Sequence, residues 1–556
     1  MKEDVINTPS DRSPISEPAP AARAGQSLKD LLELLEHAGY GGAMIHDVLG
    51  ETGVTAAATG APQAAEWHVQ RSTATDHARQ LVRTFYLRRP ISMAALDQCV
   101  GTKLIEKLIA DHVFVPHGAD TWISNVDIRP ITVASHGVED VLIASDPDAS
   151  LWDHMPGPDH VPGVGNAPIS LLGSIPPIAD GSRVLDLGCG SGVLSLVLAS
   201  SATDVTVVGT DISLRALAYA QVNGQRLASK TKSTVTWKHG DWFAPVAEKK
   251  FDYLVANPPF VVGPPDVEHV YRDSGLPLDG ATQHVVESAP GFLTDSGTAH
   301  ILAAWALRNA ETAAQRVVSW LPEKGIRAWV LQRETVDPAT YVTTWLEDES
   351  IDPRHEAGRA RTQRWMDYFA EHDVVEVGLG FIHLQRIEDD APTELTVEPL
   401  EHALAPGAFL GAEVGEFFAR SEWLAGISGR GPEAILDAHF ALRPTVALER
   451  VSLPGSDATT SLGFLPEVSR LTRTDGPRWS HEVDEPLITV LAGVHPRALP
   501  LRDVAELYCA VNDVDEMEFC AALAPLAVDL VRHGMLIPAE LWDESEEENH
   551  YLKEGV

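Results

Sequence analysis

Phe251-Asp252-Tyr253-Leu254-Val255-Ala256-Asn257-Pro258-Pro259-Phe260 is the stretch on which the fold turns. Its first six residues form a short apolar run that predicts a buried strand. The two prolines then stop both helix and ladder and pin the backbone. An amide side chain is thereby fixed at the carboxyl end of a strand, beside an aromatic ring. Open α/β sheets bind their ligands along that edge. An Asn-Pro turn with a packed Phe would read the same way in isolation.

The stretch has a partner. Asp186-Leu187-Gly188-Cys189-Gly190-Ser191-Gly192 also follows an apolar run, and Val193–Ser200 reads as the helix after it. The glycines form G-x-G-x-G, which lets a backbone approach a ligand closely. Asp211 ends the next strand, and Asp241 follows the one after, within His239-Gly240-Asp241-Trp242-Phe243. Each acid alone could cap a turn. Three at successive strand ends suggest hydrogen-bond acceptors for one ligand. Seven strands are predicted: Arg183–Leu187, Thr206–Thr210, Val235–His239, Phe251–Ala256, Thr298–Ala303, Ile326–Gln332 and Val374–Leu384. Helical stretches such as Ser213–Gln225 and Ala313–Leu321 separate several of them, and two more helices are expected within 333–372. This alternation predicts an α/β fold with a mostly parallel sheet covered on both faces.

Together, Asp186–Gly192 and Asn257–Phe260 resemble class I S-adenosylmethionine-dependent methyltransferases, specifically the group that methylates amino nitrogens on planar groups. The resemblance covers residues 155–388. Asp241-Trp242-Phe243 and the run Asp273-Ser274-Gly275-Leu276-Pro277-Leu278-Asp279-Gly280 are similar to release-factor glutamine methyltransferases. Phe260 is more similar to ribosomal-RNA base methyltransferases. The resemblance implies a seven-stranded Rossmann-like sheet and S-adenosyl-L-methionine as cofactor. It implies that Gly188, Cys189, Gly190 and Gly192 hold the methionine part, with Asp186 near its amino group. Asp211 would bind the ribose hydroxyls and Asp241 the adenine amino group, with Trp242 or Ile212 on the ring. Residues 160–170 would lie over the cofactor's open side.

The chemistry explains the tetrad. A planar-group nitrogen is a poor nucleophile because its lone pair is delocalised. The Asn257 oxygen and the Pro258 carbonyl can each accept one N–H and favour charge developing there. Pro259 holds the turn, and Phe260 can stack on the planar group.

The 556 residues suffice for several domains. Net charge is −38, which argues against a general nucleic-acid coat. The cysteines Cys99, Cys189, Cys509 and Cys520 lack metal-ligand spacing and read as reduced, buried thiols of a cytoplasmic protein. No membrane span and no metal site are expected. Residues 1–26 read as a disordered tail and 27–150 as a helical, winged-helix-like domain. In it, Ser27–His37, 76–87, 92–101 and 103–112 are helices, 50–65 a connection, and 113–124 a hairpin. Residues 151–388 are the methyltransferase domain. Residues 389–490 form an α+β region, 491–540 a second winged-helix-like module, and 541–556 an acidic tail. Between residues 70 and 107 the net charge is +4. Arg79 and Arg83, four apart, share a helix face there and could touch an acidic acceptor.

The expected partner is a macromolecular acceptor. Phe260 and the basic helices tip the reading toward a base in RNA, at adenine N6 or guanine N2. The overall acidity and Asp241-Trp242-Phe243 point to a protein glutamine, as in a release factor. An inactive adaptor that keeps the fold is a further alternative, against which the intact acids and Asn257 speak.

Overall fold

The computed structural model describes residues 20–147, 156–227, 231–267, 269–348, 351–400, 409–454 and 464–542. They form two compact units: Met1–Leu172 with Pro177–Pro399, and Gly173–Pro176 with Leu400–Val556.

The first unit is built on a sheet. Its strands are β1 (Arg183–Leu187), β2 (Thr206–Asp211), β3 (Thr234–His239), β4 (Phe251–Ala256), β5 (Leu293–Arg308), β6 (Ile326–Val336), β7 (Val374–Arg386) and β8 (Glu394–Pro399). Their spatial order is β8-β6-β7-β5-β4-β1-β2-β3. Strands β1 to β5 run parallel, and β7 lies antiparallel between β5 and β6. The seven expected strands are all present, but the sheet has eight among the described residues. The eighth, β8, pairs parallel with β6 and was expected to fall in the α+β region. Its Glu394-Leu395-Thr396-Val397-Glu398-Pro399 carries charge and ends on proline, marks of an edge strand rather than a buried one. Arg327 grips Glu394 at 2.6 Å, and the Trp329 indole donates to Glu398 at 2.8 Å, which secures that edge.

Helices cover both faces. They are α1 (Val193–Ser201), α2 (Leu214–Gly224), α3 (Gly280–Ser288), α4 (Ala313–Val318), α5 (Pro338–Asp348) and α6 (Glu356–Glu371). The Ser213 side chain caps α2 by accepting the Ala216 amide. Helix α4 stops three residues short of the expected end. Strand β5 is buried from Ala299 through Leu307, because α3 and α4 cover one face while α5 and α6 cover the other.

The chain moves outward from β1 to β3 and then returns to place β4 beside β1. That reversal opens a crevice at the carboxyl ends of β1 and β4. Leu187 and Ala256 are paired in register, so Gly188 and Asn257 leave the sheet side by side.

The N-terminal part of this unit starts its first helix at Pro20, earlier than Ser27. The supposed connection 50–65 is largely helix, spanning parts of Gly42–Ala58 and Pro62–Arg71. Its alanines favour helix, and Gly50, at φ 66°, only kinks it. Helix Asp76–Leu81 continues as a π-helical turn, Val82–Tyr86. Strand Ile91–Ser92, helices Met93–Val100 and Thr102–Ala110, and the hairpin Phe114–His117/Thr121–Ser124 follow in winged-helix order. The antiparallel strands Asp127–Val133 and Val138–Ser145 then lead toward the large sheet.

In the second unit, helix Gly411–Ser428 precedes a three-stranded meander of Val446–Pro454, Phe464–Arg473 and Ser480–Val483. Helices Glu485–Leu491, Leu501–Asn512 and Glu516–Arg532 are followed by strand Leu536–Pro538 and a short 3-10 turn, Ala539–Leu541. The boundary expected at 490 does not separate two domains. Strand Phe440–Leu442 pairs with Leu536–Pro538, and Arg473 of the meander pairs with Glu413 of the helix at 2.7 Å. The helices echo a winged-helix order, but no hairpin follows them among the described residues. The tails 1–19 and 543–556 lie outside the described residues.

Candidate functional site

The turn after β1 is set by three left-handed glycines, Gly188, Gly190 and Gly192, at φ 75°, 53° and 89°. An L side chain at any of them would be strained. Gly188 and Gly190 face open space, whereas a side chain at Gly192 would strike Trp237. The first two thus leave room for a ligand, and the third lets the turn seat against β3. The amides of Gly188 and Cys189 both donate to the Thr210 carbonyl at 2.9 Å, tying the turn to β2. Cys189 itself is buried, and burial pushes its thiol well up, so it packs rather than reacts.

Asp186 is fully buried. Its Oδ2 accepts the Ser195 amide at 2.9 Å and the Ser195 hydroxyl at 2.6 Å. Its Oδ1 has no hydrogen-bond partner among the described residues. Burial pushes this carboxyl up to about 7, against the opposing pull of Ser195. A buried carboxylate oxygen lacking a donor, next to an open glycine turn, fits a cationic amino group.

Asp211 closes the next side. Its Oδ2 accepts the Gly190 amide at 2.9 Å and its Oδ1 the Ser213 amide at 2.7 Å. Burial raises its pKa despite those amides. Each oxygen keeps a second lone pair, which suits ribose hydroxyls. Ile212 beside it is 56% exposed, an apolar face of the kind an adenine ring would cover. Trp242, the other expected ring partner, instead meets His284 edge-on at 5.0 Å. Asp241 is exposed in the turn after β3, where Gly240 is needed because a side chain would strike Pro245. The acceptor oxygens and open space fit S-adenosylmethionine, with Asp186, Gly188, Gly190, Asp211, Ile212 and Asp241 as the residues that would hold it.

On the neighbouring strand end, Asn257 is half-buried, and its side-chain amide makes no hydrogen bond among the described residues. Phe260 meets Trp345 of α5 edge-on at 6.4 Å. The Val262 amide donates to the Tyr341 hydroxyl at 2.8 Å. Tyr341 and Trp345, four apart on α5, therefore hold the loop from Asn257 to Val262, which a methyl acceptor would meet, a contact no local motif announced. Asp279, at the end of the Asp273–Gly280 run, is buried. It accepts the Ala306 amide at 2.8 Å and the Arg316 guanidinium at 2.9 and 2.5 Å. It anchors the loop's far end to β5 and α4.

Part of the expected 160–170 segment touches the glycine turn, within a strap of residues 156–166. The Ser191 hydroxyl donates to the Pro162 carbonyl at 3.0 Å, and the Val270 amide donates to the Pro158 carbonyl at 3.0 Å. It thus bridges the glycine turn and the loop that follows β4.

Arg79 and Arg83 lie apart from this cluster in the chain and do not form an open cationic face. Arg79 pairs with Asp76 and donates to the Ser72 carbonyl at 2.9 Å. Arg83 donates to Glu66 at 2.8 Å and to the Pro90 carbonyl at 3.0 Å. Arg88 is buried against the Ser124 carbonyl. The local charge excess is largely spent inside the domain, because Glu66 lies just outside the window that gave +4.

Among the described residues no helix is long and apolar enough to cross a membrane, and no cluster of metal-ligating side chains is present.

Comparison with known proteins places these observations. Residues 169–318 match the family model of the methyltransferase small domain. Residues 37–124 and 415–538 match two families described as domains of unknown function, DUF7059 and DUF7782. The release factor glutamine methyltransferase of Bordetella pertussis is 39% identical over 80 residues, covering 14% of this chain and 28% of that protein. The one of Streptococcus pneumoniae is 30% identical over 154 residues, covering 26% and 53%. The chain spans about a quarter to a half of the curated relatives it matches. A solved T. thermophilus 16S rRNA N2 G1207 methyltransferase, in complex with AdoMet and guanosine, is 21% identical. It covers 37% of this chain and 59% of its own, at a TM-score of 0.23.

Proposed function

We propose that this chain, which carries a methyltransferase small domain at residues 169–318, is an S-adenosylmethionine-dependent N-methyltransferase acting on a planar amino nitrogen of a macromolecule. The observation that carries the reading is the register of Leu187 with Ala256. It sets an open glycine turn and an unbonded asparagine amide on adjacent strand ends. When bound, the cofactor supplies an electrophilic sulfonium methyl group.

The chain's own residues do the rest. Asp186, Asp211 and Asp241 bind and orient the donor. The Asn257 oxygen and the Pro258 carbonyl accept the two N–H bonds of the acceptor and favour positive charge on its nitrogen. Phe260, braced by Trp345, sets the angle of the planar group. Positioning supplies much of the rate, and the product nitrogen can release its proton to water.

Arg79 and Arg83 spend their charge inside the domain, which removes the main support for RNA. A glutamine side chain in a protein is therefore the acceptor favoured here. It agrees with the −38 charge and with the release-factor resemblance of the curated relatives. Phe260 favours a second reading, a base in RNA. The test is calorimetric titration with S-adenosylmethionine, then transfer of labelled methyl to protein and RNA fractions from a deletion strain. Absence of cofactor binding would overturn the reading. Label in protein that enzymatic digestion releases as N5-methylglutamine supports the first acceptor, and label in RNA the second.

A further inference from the structure

The cofactor turn is braced from outside the sheet. Asn223, at the end of α2, is buried and uses its whole amide. Its oxygen accepts the Ala144 amide at 2.9 Å, and its nitrogen donates to the carbonyls of Ala144 and Ser191, each at 2.9 Å. Ala144 belongs to the last strand of the N-terminal part, and Ser191 to the glycine turn.

A second route starts two residues further on. Asp146 is buried, and its carboxylate accepts Arg215 at 2.8 and 2.6 Å, the Tyr219 hydroxyl at 2.8 Å and the Val161 amide at 2.9 Å. The Asp146 amide returns to the Val161 carbonyl at 3.1 Å. Val161 precedes Pro162, whose carbonyl holds the Ser191 hydroxyl. Both routes begin at 144–146 and end on Ser191. Arg215, Tyr219 and Asn223 are spaced by four and share one face of α2, the helix that follows Asp211.

We propose that Asp146 and Asn223 are positioning residues for the cofactor site. They fix the glycine turn and its strap to the strand Val138–Ser145, so the N-terminal part is a working component of that site rather than an appended acceptor module. The inference rests on reading Gly188–Gly192 as the cofactor turn. A buried carboxylate with this many donors holds one geometry, and loss of its charge frees the strap without removing a group that faces the ligand.

The test uses the full chain and two readouts. Hydrogen exchange of the cofactor-free protein is followed in peptides covering 158–163, 188–192 and 251–256, and cofactor affinity is measured by calorimetry. Asp146→Asn and Arg215→Lys keep size while weakening the charged fork. In each, exchange should rise about tenfold at 158–163 and 188–192, remain unchanged at 251–256, and accompany about tenfold weaker cofactor binding. Asn223→Ser should do the same where it folds. Unchanged exchange at 188–192 in both conservative variants overturns the proposal. So does loss of protection spread equally to 251–256, which marks a merely structural role. A wild-type protein that fails to bind cofactor defeats the reading of the turn, while exchange alone still decides the brace.

Discussion

The backbone amide of Val262 donates to the hydroxyl of Tyr341 at 2.8 Å, and both groups are buried. Val262 lies two residues beyond Phe260, and Trp345, which braces Phe260, lies one helical turn beyond Tyr341. One face of α5 therefore fixes the acceptor loop at two points. Tyr341→Phe leaves the amide buried without an acceptor, at a cost of about 1–3 kcal/mol. The expected outcome is slower methyl transfer with cofactor affinity unchanged, checked by single-turnover transfer beside calorimetry.

The proposed contact of Asp186 with the cofactor's amino group predicts a pH dependence of binding. In the ligand-free fold burial pushes its carboxyl up to about 7, well above the ordinary carboxylate range. Below that pH the free site holds a proton, which a bound ammonium would have to displace. Affinity should be flat above pH 7 and fall by about tenfold per unit below it, with proton release on binding. Calorimetry in buffers of different ionisation heat measures both. A profile flat from pH 5.5 to 8 would separate Asp186 from the amino group.

His300 and His383 sit inside the sheet, fully buried, with their Nδ1 atoms 3.0 Å apart. Burial lowers His300 to about 3 and His383 well below its ordinary value. Both are neutral in the fold and must charge on unfolding in acid. The unfolded chain thus binds more protons from about pH 6.5 downward, so stability falls as pH falls through that window. The melting temperature should drop between pH 7 and 5, and His383→Leu should flatten that slope. A slope unchanged in the variant would assign the acid sensitivity elsewhere.

In the second unit, Glu413 is buried against Arg420 and Arg473. Burial alone would raise its pKa, but Arg420, Arg473 and Arg443 outweigh it and hold the carboxyl below its ordinary value. Those arginines also take the carbonyls of Arg532, His533 and Gly534 at the end of the last long helix. Glu413→Gln removes the shared, fully buried carboxylate but leaves Arg420 on Glu416 and Arg473 on Asp475, each at 2.9 Å, and should destabilise this unit by about 1–3 kcal/mol. Limited proteolysis should then cut within 409–542 first. Resistance equal to wild type would mean that Glu416 and Asp475 hold the arginines without Glu413.

What the sequence made legible followed from how local each signal is. The glycine turn and Asn257–Phe260 are contiguous residues with unusual backbone demands, so both could be placed at strand ends before any contact was known. Strand β8 was missed because charge and proline make its six residues look like a linker. Arg83 looked free because Glu66, seventeen residues away, lay outside the window in which charge was counted. Asp146 and Arg215 are 69 residues apart and belong to no motif. Only the spacing of Arg215, Tyr219 and Asn223 on one helix face carried a trace of that brace.

The proposed mechanism turns on Asn257. That residue follows β4, whereas the groups placed around the cofactor lie at or just beyond the carboxyl ends of β1, β2 and β3. Its half-buried amide has no hydrogen bond to satisfy within the fold among the described residues, so its oxygen is available to the acceptor nitrogen. Asn257→Ala removes one preorganised acceptor of developing charge, worth about 3–4 kcal/mol, or roughly a hundred- to a thousandfold in rate. Cofactor affinity should stay near wild type. Asn257→Asp keeps an oxygen but places a charge in a confined site, and should also transfer poorly. Phe260→Ala should lose acceptor stacking and still bind cofactor. Single-turnover transfer and cofactor titration on the same three proteins separate these outcomes. Near-wild-type transfer by Asn257→Ala would sink the mechanism and the amino-nitrogen assignment with it.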